Sequence, residues 1–328
     1  MMKASIDQVL KRFGYVVSTD DDRREIERLK RAAALRRSFV DVAFRYFLYG
    51  ERGPTVEVSF DDLKPDSDPD WIPRMLAANE MHEVEFRIFR FFQNPSETIL
   101  DIGANNGNSV GSILASGSKA QILSFEPNPM HHKCLERLRE LRKDAFDFVP
   151  VGLAAKAADL KFLVPVVNDA VISGLTSANF AKTIAWVAQE NLVDYALQYC
   201  QGVPDPQLRF AECNWSVMRL DDALRQNYGV AVDKIVAIKM DVEGHEAAVL
   251  DGGRATLKAH TPLILLEGAN RDPAVFDILE PLGYVFADFD GEACILKNQM
   301  SMKVNGFYLH SSRLGHYRQI GLLSSGVK

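Results

Sequence analysis

The chain has 328 residues, and its hydrophobic content of 47% and charged content of 25% are ordinary for a globular protein. A net charge of −6 argues against nucleic acid as the main partner, and no stretch approaches the roughly 18 apolar residues of an integral membrane segment. Four cysteines without a Cys-x-x-Cys pair, and an N-terminus without an apolar run, favour a cytoplasmic protein with reduced thiols.

The first 78 residues are predicted to form a helical region followed by a linker. Apolar residues recur at helical spacing in the first part, and a polar stretch punctuated by prolines follows at 51–73. These helices are a candidate surface for a homodimer. A further helix is expected over residues 74–92, where Glu83 and Glu85 face either a ligand cleft or solvent.

From residue 98 onward, strands and helices alternate. Strands are expected at 98–102, 121–126, 146–153, 235–241, 262–267, 283–289 and 292–297, and helices at 108–115, 129–143, 221–227, 245–258 and 273–280. Such alternation predicts right-handed crossovers and a mainly parallel sheet, and Asp290-Gly291 predicts a terminal antiparallel hairpin. The fold class is therefore α/β, with a doubly wound, Rossmann-like, seven-stranded sheet.

A helical insertion is expected after the third strand, between residues 163 and 214. It contains a predicted helix over residues 180–200. Variable chemistry is usually carried on insertions over a fixed scaffold, so a lid or substrate-recognition element is one interpretation. The other is a packed helical elaboration without substrate contact.

A glycine-bearing turn follows the first predicted strand of the sheet. The run Asp101 to Gly107 reads Asp-x-Gly-x-x-x-Gly, which differs from the dinucleotide fingerprint. Asp101 would repel a pyrophosphate but suits an ammonium or sulfonium, and Glu126 at the end of the next strand suits ribose hydroxyls. Together they predict S-adenosylmethionine. The alternative is a plain strand–turn–helix in which Asp101 caps the helix.

A second constellation follows the fourth predicted strand, where Lys239, Asp241, Glu243, His245 and Glu246 fall within eight residues. Ligands bind outside the carboxyl ends of such strands. Lys239, Asp241 and Glu243 are expected on one side, and His245 or Asp241 can serve as a general base for a hydroxyl. The alternative roles are helix capping for His245 and ion pairing for Lys239. No metal site is expected.

Five segments, in this order, carry a family resemblance: Ile99–Gly107, Phe125–Pro127, Val151–Leu153, Arg219–Asp222 and Ile238–Glu246. They resemble the FkbM family of S-adenosylmethionine-dependent methyltransferases over roughly residues 80–300. The last segment, IKMDVEGHE, is the specific part. The resemblance implies the class I methyltransferase fold, S-adenosylmethionine as cofactor and O-methylation of sugar or polyketide hydroxyls.

The resemblance also places residues. It implies that the glycine turn lines the methionine end of the cofactor, that Glu126 holds the ribose, and that Gly152 and Leu153 lie near the adenine. The predicted cofactor-binding residues are Asp101, Gly103, Asn105, Gly107, Asn108, Glu126, Asn128, Gly152 and Leu153, and the predicted catalytic residues are Asp241, His245, Glu243 and Lys239.

The predicted organisation is an N-terminal helical region and linker at 1–78, and a methyltransferase domain at 79–328 with a lid insertion at 163–214. The predicted activity is methylation of a hydroxyl on a sugar, a glycan or a glycosylated natural product, so the partner is a small-molecule or glycan acceptor. A carboxylate or amine acceptor is an alternative. A non-catalytic cofactor-binding scaffold is another, although the cofactor motif is intact.

Overall fold

The structure is a computed structural model that describes residues 68–167, 170–173, 176–178, 208–226, 232–267, 272–297 and 305–324, with residues 24, 27–34, 37, 55 and 56 near the N-terminus. Residues 27–34 are helical. The predicted helix over 180–200 lies outside the described residues, as does most of the predicted N-terminal helical region.

The described strands are β1 (Thr55–Val56), β2 (Thr98–Ile102), β3 (Gln121–Phe125), β4 (Phe146–Val149), β5 (Gly152–Leu153), β6 (Ala158–Val167), β7 (Ala170–Val171), β8 (Leu208–Met218), β9 (Ile235–Met240), β10 (Leu263–Glu267), β11 (Tyr284–Phe289), β12 (Cys294–Leu296) and β13 (Asn305–His310). The α-helices are Trp71–Ala78, Asn108–Ala115, Pro129–Leu141, Leu220–Ala223, Glu246–Gly252, Arg254–His260, Pro273–Leu279 and Leu314–Gln319; 3₁₀ helices span Val84–Phe91, Glu280–Leu282 and Ser311–Arg313.

The main sheet has the order β12-β11-β13-β10-β9-β2-β3-β4. Strands β4, β3, β2, β9 and β10 are parallel, whereas β13 runs antiparallel to both β10 and β11. The order in which the chain adds strands reverses between β2 and β9, because β3 and β4 lie on one side of β2 whereas β9 and β10 lie on the other. Ligands bind at such a switch point in folds of this kind. The predicted doubly wound, mainly parallel α/β fold is confirmed, but the described main sheet has eight strands where seven were predicted.

Both faces of this sheet are covered, which explains the continuous apolar runs in its central strands. Every residue of β2 and of β9 is buried. One face packs Ile99 and Leu265 against the helix Asn108–Ala115, and the other packs Leu100 and Ile238 against the helices between 246 and 279. Strands buried on both faces lose the polar alternation of half-exposed strands.

A second, smaller sheet has the order β1-β8-β6-β7, and β5 also pairs with β8. Its centre is a long antiparallel pair in which Ala158 to Val167 lie opposite Val217 to Leu208. The two ends of the predicted insertion are therefore strands. The short strand β1, from the predicted linker, adds to the same sheet in parallel with β8.

The single helix predicted over 74–92 is wrong. The helix Trp71–Ala78 ends at Asn79, which is left-handed at φ 53°, and a 3₁₀ helix Val84–Phe91 follows. Three residues per turn align Phe86, Phe89 and Phe92, whose neighbouring rings lie 5.7 and 6.4 Å apart in the core. Packing of this aromatic row therefore accompanies the tighter helix.

The predicted terminal hairpin forms, but it does not complete the sheet. Residues 290–293 connect β11 to β12, an edge strand of three residues. The strand that lies between β10 and β11 is β13, which was not predicted, and it pairs Leu266 with Gly306 and Phe286 with Tyr308.

The predicted third strand, 146–153, is divided between the sheets. After β4 the chain turns, since the Val151 N–H donates to the Val149 carbonyl at 2.8 Å. Strand β5 then pairs with β8. A Cβ atom on Gly152 would lie 2.8 Å from the Val217 side chain, so glycine permits this close approach.

Candidate active site

The turn after β2 has the conformation that its glycines allow. Gly103 and Gly107 have φ values of 81° and 92°, and Asn105 is also left-handed at 49°. The N–H groups of Gly103 and Ala104 donate to the Phe125 carbonyl at 3.0 and 3.3 Å, which ties the turn to the end of β3. The helix Asn108–Ala115 begins directly after Gly107.

Glu126 connects this turn to the end of β3. Its Oε2 accepts a 2.8 Å hydrogen bond from the Asn105 N–H, and its Oε1 accepts one of 2.8 Å from the Asn128 N–H. The residue is only 7% exposed. Burial raises the pKa of Glu126 to about 7, although the two N–H donors oppose this effect. Each carboxylate oxygen keeps acceptor capacity for a ligand hydroxyl.

Glu126 lines a cavity of about 160 Å³, which we call the first cavity. Its apolar walls come from both sheets and include Pro127, Leu153, Phe162, Trp215 and Val217. The rings of Phe162 and Trp215 lie 4.7 Å apart. A concave site with aromatic and aliphatic walls and a carboxylate in its lining suits a nucleoside.

Within the described parts of the chain, three buried polar atoms of the first cavity have no hydrogen-bond partner. They are Asn128 Nδ2, His131 Nδ1 and Thr176 Oγ1. Burial lowers the pKa of His131 to about 3, so its imidazole is neutral at physiological pH. Unsatisfied polar atoms are costly inside a protein, and a bound ligand with donors and acceptors would satisfy them. The cavity thus fits the adenosine part of S-adenosylmethionine.

A second cavity, of about 240 Å³, lies beyond the glycine turn. Its lining is mostly polar and includes His82, Glu83, Asn106, Asn108, Lys239, Glu267 and Asn305. Asn305 Nδ2 donates to Glu83 Oε2 at 2.7 Å, and His82 Nδ1 lies 2.6 Å from Ser112 Oγ. Gly103, Asn105 and Asp241 line both cavities, so the two cavities meet at the glycine turn.

Asp101 is fully buried under this junction and lines neither cavity. Its Oδ2 accepts hydrogen bonds from Ser109 Oγ at 2.9 Å and Ser124 Oγ at 2.8 Å. Lys239 Nζ lies 3.5 Å from Asp101 Oδ1 and 3.9 Å from Asp241 Oδ2. The carboxylate therefore supports the turn and the lysine from within the protein.

Lys239 also donates to the Gly103 carbonyl at 2.9 Å, so one ammonium group connects β9 to the glycine turn. Burial alone would lower the pKa of Lys239, but the carboxylates of Asp101 and Asp241 outweigh that effect and raise it. The lysine is thus held in its charged form, and its charge favours ionised carboxylates around it.

The turn after β9 brings the remaining predicted residues into position. Glu243 is left-handed at φ 52°, and its carbonyl accepts a 2.7 Å hydrogen bond from Ser177 Oγ. His245 precedes the helix Glu246–Gly252 and is partly exposed. Lys239, Asp241 and Glu243 were expected on one side of a strand, but β9 ends at Met240 and its alternation stops there. As a result, Lys239 lines only the second cavity and Glu243 lines only the first.

A protein-family model, the methyltransferase FkbM domain, matches residues 101–286, more than half of the chain. The chain belongs to the FkbM methyltransferase family. The family predicted from the sequence is therefore confirmed, and the match contains both the glycine turn and the segment after β9. The whole lining of the first cavity lies within the same span, whereas four lining residues of the second cavity lie outside it: His82, Glu83, Phe86 and Asn305.

This FkbM chain is similar to the 2-O-methyltransferase NoeI of Sinorhizobium fredii, at 26% identity over 176 residues. The match covers 53% of the chain and 65% of that relative, which is less than two thirds of its length. Among solved structures, an FkbM methyltransferase from Methylobacillus flagellatus is matched with a TM-score of 0.39 and 13% identity, over 92% of this chain and 65% of that one. An O-methyltransferase from Bacillus cereus is matched with a TM-score of 0.33 and 10% identity, over 84% and 98%.

Within this FkbM domain, most predicted site residues lie around the two cavities. The first cavity is lined by Gly103, Asn105, Glu126, Asn128, Gly152, Leu153, Asp241, Glu243 and His245, and the second by Asn108 and Lys239 together with the shared residues. Gly107 lines neither and precedes the helix Asn108–Ala115. Sequence reasoning missed His82, His131, Trp215 and Asn305 as lining residues. The apolar run at 306–309, which Asn305 directly precedes, is the one signal that could have pointed to Asn305.

The described residues contain no group of three or more His, Cys, Asp or Glu side chains arranged to hold a metal ion. In the same parts of the chain, no helix combines the length and the apolar composition needed to cross a bilayer.

Proposed function

We propose that this chain transfers a methyl group from S-adenosylmethionine to a hydroxyl of a sugar, a glycan or a glycosylated natural product. The observation that carries the proposal is that the first cavity, with its largely apolar walls, meets the polar second cavity at Gly103, Asn105 and Asp241. A methyl donor and an acceptor need such a common point, because transfer requires their alignment. The similarity to a 2-O-methyltransferase supports oxygen as the acceptor atom.

The first cavity would hold the adenosine, with Glu126 as the acceptor for the ribose hydroxyls and with Gly152, Leu153 and Asn128 around the base. Gly103, Asn105 and the backbone N–H groups at the start of the helix Asn108–Ala115 would hold the methionine part. Asp101 stabilises this end of the site through Ser109, Ser124 and Lys239.

The second cavity receives the acceptor. Amide, imidazole and carboxyl groups on its wall are the partners that sugar hydroxyls need. Bound S-adenosylmethionine supplies an electrophilic methyl group on a sulfonium sulfur. Asp241 accepts the hydroxyl proton, because it lines both cavities. His245 lines only the first cavity and is the alternative base, and Lys239 Nζ lies 3.9 Å from Asp241 Oδ2.

We also propose that the insertion, residues 163–214 of the domain at 79–328, closes the first cavity. Three contacts of its described residues support this role. Ser173 and Thr176 line the cavity, and Ser177 binds the Glu243 carbonyl. A cover attached to the turn after β9 would exclude water from the transferred methyl group.

The test is label transfer from S-adenosylmethionine carrying an isotope in the methyl group. The acceptors are three sugar panels: neutral oligosaccharides, uronic acids and amino sugars. Transfer to neutral sugars is expected, with a loss of about 100-fold or more in Asp241→Asn, since general bases contribute on that scale. Asp251→Asn, an exposed aspartate that pairs with Arg254, is the matched control.

The panels also separate the alternatives. Transfer only to uronic acids, with Asp241→Asn and His245→Ala as active as wild type, would favour a carboxylate acceptor that needs no base. Transfer only to amino sugars would favour an amine. A loss confined to His245→Ala would move the base from Asp241 to His245.

A further inference from the structure

We infer that Asp241 and Glu267 share one proton, so that the pair places a single negative charge where the two cavities meet and selects the sulfonium form of the cofactor over the uncharged thioether. The inference rests on the proposed function, because it concerns the ligand assigned to these cavities. It gives Glu267, at the end of β10, the role of a positioning residue that acts through Asp241.

The strand register brings the two carboxyl groups together. Strands β9 and β10 are parallel, and Met240 pairs with Leu266. Asp241 directly follows β9, Glu267 is the last residue of β10, and both line the second cavity. Two ionised carboxylates at neighbouring strand ends repel each other, and one proton on the pair relieves that repulsion.

No nearby positive charge is available to neutralise a second carboxylate of the pair in the described part of the chain. Among the residues that the structure describes, the charged or titratable groups around the pair are Lys239 on β9, Asp101 on β2, Glu243 on the turn after β9, and His82 and Glu83 before β2. Lys239 is the one cation among them, and it lies closer to Asp101, at 3.5 Å, than to Asp241, at 3.9 Å. Its charge is thus largely matched by the buried Asp101.

The remaining groups favour a protonated Glu267. Burial raises the pKa of Glu267 far above its ordinary value, and the Asp241 and Glu243 carboxylates raise it further. Burial lowers the pKa of His82, so this imidazole adds no compensating charge at neutral pH. Glu83 binds Asn305 instead, at 2.7 Å.

A pair with one charge has a measurable consequence. S-adenosylmethionine carries a permanent positive charge at sulfur, and S-adenosylhomocysteine carries none there. One negative charge at the junction favours the first ligand, which helps product leave after transfer. As the pH rises and the shared proton is lost, a second negative charge appears, and the preference for the sulfonium increases.

The experiment is calorimetric titration of the full chain with S-adenosylmethionine and with S-adenosylhomocysteine, from about pH 6.5 to about pH 8.5. The ratio of the two affinities cancels groups that contact both ligands alike, such as Glu126. In the wild type we expect this ratio to rise about threefold or more across the range. Glu267→Gln, which keeps a donor for Asp241 but cannot titrate, should keep a preference that no longer changes with pH.

The matched control is Glu85→Gln, the same change at a glutamate that lines neither cavity. It should behave as wild type. Asp241→Asn should bring the preference close to unity. If Glu267→Gln does not fold, the wild type tests the same proton. Titrations with S-adenosylmethionine in buffers of different ionisation enthalpy give the number of protons released on binding.

A wild-type ratio that is constant with pH, or a Glu267→Gln ratio that rises as in the wild type, would overturn the inference. Binding of neither ligand by the folded wild type would instead overturn the proposed function. The two failures are therefore distinguishable.

Discussion

The backbone of Gly103 lies against the carbonyl of Asp241 so closely that a Cβ atom added to Gly103 would stand 1.8 Å from that oxygen. The same glycine has a φ of 81°, a region that other residues rarely adopt. The end of β2 and the end of β9 thus touch through a residue without a side chain. This contact brings the glycine turn and the proposed base to one point.

Gly103→Ala is expected to lower the free energy of unfolding by about 3 kcal/mol or more, because strain and overpacking combine. Gly117→Ala is the matched control, since Gly117 also has a positive φ, of 87°, but has no atom within 4 Å of the added Cβ. We expect it to cost about 1 kcal/mol. Urea unfolding measures both, and equal losses would mean that the contact with Asp241 does not matter.

Glu126→Gln is expected to weaken S-adenosylhomocysteine binding by about tenfold or more, the cost of an unsatisfied buried group. The glutamate accepts N–H groups on both oxygens, from Asn105 and Asn128. A glutamine has one acceptor oxygen, so its amide nitrogen would face one of these donors. Gln121→Glu, a change at the start of β3 outside both cavities, is the control. Unchanged affinity in Glu126→Gln would remove the residue from the cofactor site.

Glu126 also predicts a pH dependence of folding. Its pKa in the folded protein, about 7, exceeds the ordinary value of 4.5, so the folded state binds the proton more tightly than the unfolded chain. This contribution to stability is complete below about pH 4.5 and is lost as the pH rises through about 7. The difference in unfolding free energy between wild type and Glu126→Gln should therefore change across that window. A difference that is constant with pH would contradict the assignment.

Ser177→Ala is expected to loosen the turn after β9, because Ser177 donates to the carbonyl of the left-handed Glu243. We expect a loss of about 1 kcal/mol and faster amide exchange over residues 242–246, measured by mass spectrometry. Ser216→Ala removes a hydrogen bond of the same length, 2.7 Å, to exposed Asp159 and is the control. Equal exchange in the two variants would argue against a cover attached through Ser177.

Much of the fold could be predicted because its central strands are buried on both faces. Strands β2 and β9 consist of apolar runs that end in the polar residues of the site, so Gly103 and Asp241 were placed at one sheet edge without coordinates. The glycine spacing was equally informative, since the positive φ angles of Gly103 and Gly107 require it.

Other features depend on packing that no local pattern contains. The row of Phe86, Phe89 and Phe92 fits an α-helix as well as a 3₁₀ helix until its neighbours are known. Strand β13 inserts between β10 and β11, which both precede it in the chain, and no local pattern shows that pairing. The second sheet pairs β6 with β8, which lie on either side of the insertion. Because this pairing is not visible in the sequence, Phe162 and Trp215 could not be predicted to line the first cavity.

Asp101 lies before the glycine turn as predicted, but its contacts differ from the predicted ones. A carboxylate before the glycine turn was predicted to meet the cofactor's charge, whereas it lies fully buried beside Ser109, Ser124 and Lys239. Both serines come from elements whose packing the sequence does not show. Its contact with the cofactor stays a prediction, and its support of Lys239 is the role that the structure contains.

The most direct measurement is calorimetric titration of the wild type with S-adenosylhomocysteine, beside Glu126→Ala and the control Glu136→Ala, an exposed glutamate of the helix Pro129–Leu141. The account predicts micromolar binding by wild type and control, and a loss of about tenfold or more in Glu126→Ala. A folded wild type that binds no S-adenosylhomocysteine, or a Glu126→Ala variant that binds it as tightly as the control, would contradict the placement of the cofactor in the first cavity.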